Sequence, residues 1–178
     1  MTPEHIVEFW LRAGESRWFT RDVGFDATLA MRFAGALQEA RAGKHDGWAA
    51  TPRGALGLVL LLDQVSRNIH RGSSLAFAAD AKALALARQS VARGFHRMMP
   101  ARQAMWLVMP FEHDENLESQ DRAVALFTSL GFDDLVHWAN VHKDVILRFG
   151  RFPHRNAVLG RNSTADELAF LKSGGFSA

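Results

Sequence analysis

The stretch LESQDRAVALFTSLGFDDLVHWANVHKDVILRFG, residues 117–150, decides the fold. Its apolar side chains recur every three or four positions, which is the period of an amphipathic α-helix. Gly131 and Gly150 follow the two stripes, and glycine is the usual residue just past a helix C-terminus. The stretch therefore predicts two consecutive helices, each closed by a glycine. The residues of the two predicted stripes are Leu117, Val124, Phe127 and Leu130, then Leu135, Trp138, His142, Val145 and Phe149.

Helix signals continue along the rest of the chain. Thr2-Pro3 and Thr51-Pro52 each place a capping residue before a proline at the first helical position. Thr164 and Glu167 have the spacing of a capping box. We expect Pro110 to end the helix before it, since proline lacks the N–H that continues a helix. The alternation of apolar and polar residues that is typical of strands is missing, so the prediction is an all-α fold of about eight helices.

Two alanine-rich segments resemble each other, residues 83–87 and residues 123–127. Recurring amphipathic helices favour a helical repeat, in which antiparallel helical hairpins stack on one another. A chain of 178 residues is most simply one domain, so we predict a single all-helical domain over residues 1–178.

Composition excludes several functional classes. The chain has no cysteine, which rules out disulfides, thiolate catalysis and cysteine-bound zinc. Its net charge is only +2, and no basic run carries interleaved aromatic residues, so we expect no nucleic-acid partner. The N-terminus has no signal-peptide pattern, and the longest apolar run, residues 55–62, is too short to cross a bilayer. We therefore expect a cytoplasmic protein with no membrane partner.

The first candidate cluster is DQVSRNIHRG, residues 63–72, where an apolar helix turns polar. Polar groups at the end of a buried helix need partners, because a buried unpaired charge is costly. One interpretation is an internal ion-pair network that ties the helix end to its loop. The other is a pocket in which an arginine binds an anion. The candidate ligand-binding residues are Asp63, Gln64, Arg67, Asn68 and Arg71.

The second cluster lies at the joint between two helices, within residues 110–122. Glu112 and His113 lead it, and a carboxylate beside a histidine is the minimum for general acid–base chemistry. The spacing matches no strong metal-binding signature, so we predict no metal site. The alternative is a solvated acidic joint that pairs with the arginine-rich segments.

The third and fourth candidates follow each other along the chain. His142 lies on the apolar stripe of its helix, where a histidine is either a core residue or a ligand. That helix leads into RFGRFPHRN, residues 148–156, in which glycine and proline fix the shape of an arginine-rich loop. Such a loop either binds an anion through its planar guanidinium groups or only joins helices. Its candidate residues are Arg148, Arg151, His154, Arg155 and Asn156.

With these motifs in view, the chain resembles a bacterial family catalogued as domain of unknown function 924. The resemblance covers nearly the whole chain and rests on four motifs. One departure is Val65-Ser66, where the family usually has Phe-Pro. The resemblance implies a tetratricopeptide-like fold, a right-handed solenoid of stacked helical hairpins, and no established activity. The motifs are RWFTRD at 17–22, DQxxRNxxRG at 63–72, FEH at 111–113, and RFGRFPHRN at 148–156 followed by LGR at 159–161.

Three functional hypotheses follow. The first is a pocket between helices that binds a small anion, phosphate or carboxylate, with Glu112, His113 and His154 as candidate catalytic residues. The second is a tetratricopeptide-like interaction module that binds an acidic peptide. The third is a purely structural network of ion pairs. The sequence identifies no cofactor.

Overall fold

The structure, a computed structural model, describes residues 1–175, and every regular element in that part of the chain is helical. The all-α prediction is confirmed. Short 3₁₀ turns join several of the helices. The α-helices are α1 (Pro3–Ala13), α2 (Glu15–Trp18), α3 (Val23–Arg41), α4 (Pro52–Leu60), α5 (Ser66–Ile69), α6 (Asp80–Ala92), α7 (Ala101–Glu112), α8 (Leu117–Leu130), α9 (Asp133–Phe149) and α10 (Ala165–Lys172).

Most predicted helix ends are confirmed in detail. The Thr51 side chain accepts a hydrogen bond from the Gly54 backbone N–H at the start of α4. Thr164 and Glu167 make both bonds of the capping box at the start of α10. Gly131 and Gly150 close α8 and α9 with left-handed backbone angles, which glycine adopts without steric cost.

One predicted helix end is wrong. Pro110 does not end α7, because the helix runs on to Glu112. A proline this close to the end of a helix removes a donor where few backbone bonds remain to be made. The helix of the first cluster continues past Asp63. It passes from α4 through a π-helical turn, Leu61–Val65, into α5. A π-helical turn changes the direction of the following side chains and is frequent at functional sites.

The described residues divide into two compact units. Unit 1 comprises Met1–Arg71 and Leu75–Pro110, and unit 2 comprises Gly72–Ser74 and the chain from Phe111 onwards. The prediction of one domain over residues 1–178 stays a prediction, as does the stacked solenoid, and residues 176–178 lie outside the described part.

In unit 1, α1 packs against α4, and α4 packs against α6. The core contains Trp10, Trp106 and the leucines of α4, all fully buried. The contact between α1 and α4 is close: a Cβ atom on Gly57 would lie 2.7 Å from the Cβ of Pro3. A side chain at position 57 would therefore push the two helices apart.

In unit 2, α8 and α9 pack against each other as a helical hairpin. The predicted stripes are only partly correct. Trp138 is 51% exposed and Leu117 is 41% exposed, whereas Ala123 and Ala139 are fully buried. Ala139 occupies an inward position of α9, and its neighbour Trp138 points outward. No helix within residues 1–175 has the length and apolar character needed to cross a membrane.

Candidate functional site

The π-helical turn positions a polar cluster inside unit 1. Asp63 is almost completely buried and accepts a hydrogen bond from the Gln64 side-chain amide at 2.7 Å. Arg67 lies 3.1 Å from the other Asp63 oxygen and donates two parallel bonds to Asp80, at 2.8 and 2.9 Å. This two-pronged geometry is the strongest arrangement of arginine and carboxylate.

Electrostatics hold Arg67 in its charged form. Burial alone lowers the pKa of a guanidinium, but Asp63 and Asp80 outweigh burial here and raise the pKa of Arg67. The cluster is thus a compact set of one cation and two carboxylates.

Asp26 of α3 engages the other two candidate residues of this segment. It accepts a bond from the Asn68 side chain at 2.7 Å and one from Arg71 Nε at 2.9 Å. Ser66, at the position where the family pattern has proline, accepts a bond from Arg41 at 2.8 Å. In unit 1 the polar groups of the first cluster are thus engaged by other groups of the same unit.

The second cluster positions a buried acid beside a histidine in unit 2. The Glu112 side chain is only 4% exposed, and its Oε1 lies 2.9 Å from His142 Nδ1. The Trp138 carbonyl oxygen lies 2.9 Å from the same nitrogen. Two acceptors at Nδ1 require a proton there, so the basic lone pair of the neutral imidazole is at Nε2. This is the orientation that a carboxylate gives to a histidine used in proton transfer.

Other candidate residues converge on one buried ring, Phe152. The His142 ring meets Phe152 edge to face with centroids 5.6 Å apart, and the His154 ring lies 5.7 Å from Phe152. The Arg155 guanidinium carbon lies over the Phe152 face at 4.5 Å. The His113 ring lies 6.5 Å from that of His142. We call this group the Phe152 cluster; its members are Glu112, His113, His142, His154 and Arg155.

Hydrogen bonds with the side chains of Glu115 and Arg161 hold the Phe152 backbone in place; we call this pair the Glu115–Arg161 staple. Glu115 accepts two bonds from Arg161, at 2.6 and 2.9 Å, and one from the Phe152 N–H at 2.8 Å. Arg161 also donates to the Phe152 carbonyl oxygen at 3.1 Å. Burial raises the pKa of Glu115, but these bonds outweigh burial and lower it. Gln120 fixes the turn between α7 and α8 by donating to the backbone oxygens of Glu112 and Asp114, both at 2.7 Å.

The remaining loop residues lie elsewhere in unit 2. Arg151 donates two bonds to Glu167, at 2.6 and 2.9 Å, and these bonds are the main reason that the pKa of Glu167 falls to about 2. Asn156 is buried and donates to the Ser163 hydroxyl at 3.0 Å. Arg148 is exposed and lies over the rings of Phe149 and Phe170.

Sequence reasoning missed several partners of the candidate residues. Asp26, Asp80 and Glu167 were not assigned as partners of the arginines, and Phe152 was not recognised as the centre of a cluster. Glu167 carried the one usable signal, because a carboxylate in a capping box is also positioned to bind a nearby arginine. Within residues 1–175, no group of three or more histidine and carboxylate side chains has an arrangement that could hold a metal ion.

Comparisons with known proteins identify the family and support the fold. The family model described as bacterial protein of unknown function (DUF924) matches residues 6–175 and confirms the resemblance seen in the motifs. A solved structure of a protein of unknown function from Agrobacterium tumefaciens is similar, with 37% sequence identity, 97% of each chain covered and a TM-score of 0.93. A search of curated proteins gave no match.

Proposed function

The chain belongs to this family of bacterial proteins of unknown function, and we propose that it binds a small anionic ligand, phosphate or carboxylate, at the Phe152 cluster. The observation that carries the proposal is the convergence of His142, His154 and Arg155 on one buried ring, beside the buried Glu112–His142 pair. Imidazole and guanidinium groups donate charge-assisted hydrogen bonds to anions, which are stronger than neutral ones.

The Glu112–His142 pair extends the proposal to acid–base chemistry. Glu112 orients the ring through Nδ1, and in the protonated ring Nε2–H donates to the bound anion and can transfer its proton to it. His113 and His154 are partly exposed, so they lie where a ligand can reach the cluster from solvent.

The proposed site has fewer residues than the sequence indicated. Arg67 and Arg71 belong to unit 1, and Arg151 binds Glu167, so we leave these three arginines out of the ligand site. A structural role for these three arginines is the second candidate, because each pairs with a carboxylate of another segment of its own unit. The two candidates differ in what they predict for ligand binding.

The test is a thermal-shift screen of the purified protein against inorganic phosphate, phosphorylated metabolites and small dicarboxylates. At one hundred times its dissociation constant, a ligand that binds only the folded state stabilises it by about 2.7 kcal/mol. This corresponds to a rise of roughly 5–11 °C in Tm for a chain of this size.

Two histidines of α9 provide a matched pair of variants. His142 is buried in the cluster, whereas His137 is exposed on the same helix. We expect His142→Gln to abolish the shift and His137→Gln to leave it unchanged. A folded His142→Gln variant with undiminished binding would contradict the proposed site, and no shift from any anion would favour the structural role.

A further inference from the structure

Unit 1 contains a cleft between α1 and α3 that shares no residue with the Phe152 cluster. Its volume is about 300 Å³, at the small end of the range for ligand pockets. We call it the α1–α3 groove. The lining side chains that matter below are His5, Glu8, Phe9, Arg12, Arg32 and Phe33.

The floor of the groove consists of aromatic rings that contact one another. Phe33 is buried and meets Phe9 edge to face, with ring centroids 5.3 Å apart. Phe9 also stacks on Phe25, almost parallel, at 5.9 Å. Because its neighbours hold Phe9 on two sides, a ligand ring that lies against it does not have to order it first.

Arg32 gives the rim a positive charge that no carboxylate within residues 1–175 balances. Arg12 and Glu8 bind each other at 3.1 Å, so their charges cancel. The Arg32 guanidinium lies 4.9 Å from the centre of the Phe9 ring, and among residues 1–175 no carboxylate pairs with it. A guanidinium stacked on a ring keeps its planar donors oriented, and these donors match the two oxygens of a carboxylate.

We infer that the α1–α3 groove binds a small aromatic carboxylate, with Arg32 on the carboxylate and the ring of the ligand against the part of Phe9 that Arg32 and Phe25 leave uncovered. An apolar ring gains from leaving water at this floor, which a hydrated phosphate ion does not. The small volume favours a single-ring ligand over a peptide. This inference does not depend on the function proposed above.

The test is an NMR titration of the labelled protein with benzoate, benzyl alcohol and inorganic phosphate. We expect saturable benzoate shifts at the signals of Phe9 and Phe33. Benzyl alcohol, which lacks the charge, should bind at least about tenfold more weakly than benzoate. Arg32→Gln should weaken benzoate binding by at least about tenfold. Arg21→Gln, which changes another exposed arginine of unit 1, should leave it unchanged.

Three results would overturn the inference: no saturable benzoate shifts in α1 and α3, unchanged affinity in a folded Arg32→Gln variant, or phosphate binding at the same signals as tightly as benzoate. His142→Gln serves as the reference for the other site. Benzoate binding that persists at α1 and α3 in that variant supports the groove whether or not the Phe152 cluster binds an anion.

Discussion

The Glu115–Arg161 staple offers the sharpest test of how the Phe152 backbone is held. Arg161 makes three hydrogen bonds, two to Glu115 and one to the Phe152 carbonyl oxygen. A lysine at position 161 presents a single ammonium group in place of the planar fork and keeps about one of these bonds. Two lost bonds at about 1 kcal/mol each predict that Arg161→Lys lowers the free energy of unfolding by about 2 kcal/mol.

The assay is thermal and urea unfolding followed by circular dichroism. A loss of about 2 kcal/mol corresponds to a decrease of roughly 4–8 °C in Tm for a chain of this length. Arg122→Lys is the matched control, because Arg122 is exposed on α8 of the same unit and surface changes usually stay within about 0.5 kcal/mol. If the two variants are equally stable, the staple does not hold the Phe152 backbone as we describe.

Three further predictions concern individual side chains. The ionised Glu167 carboxylate stabilises the fold fully above its ordinary pKa of 4.5, and this contribution is lost as the pH falls towards about 2. The free energy of unfolding of Glu167→Gln should therefore fall less steeply with pH over that window than that of the unchanged protein. Asp26→Asn removes the charge that Asn68 and Arg71 bind, and urea unfolding should show a loss of about 2 kcal/mol, against almost none for the exposed Asp144→Asn. Nitrogen-15 NMR should find neutral His142 protonated at Nδ1, and a proton at Nε2 would contradict the assigned bonds.

The features that sequence predicted well are those set by neighbouring residues. Thr51 and Thr164 cap helices through groups three positions away, and Gly131 ends α8 through its own backbone angles. These contacts are local, so sequence spacing determines them. The prediction that Trp138 faces inward is wrong. Steps of three and four residues fit either of two adjacent helix faces, and in the structure Ala139, not Trp138, is on the buried face.

The candidate site was less predictable because its partners are distant in sequence. Glu112 and His142 were each singled out from sequence, but only packing brings their side chains to 2.9 Å. Asp26 lies more than forty residues before the groups that it binds, and no local pattern links them. The motifs therefore indicated polar candidate residues, several of which are buried, whereas tertiary structure decides which carboxylate each arginine binds.

The most direct test of the central proposal is a phosphate and dicarboxylate titration followed through the histidine ring signals. We predict saturable shifts of the ring signals of His142, His154 and His113, with His137 unmoved, because only the first three belong to the Phe152 cluster. A titration in which all four rings move equally, or in which none of them moves, would contradict ligand binding at this cluster.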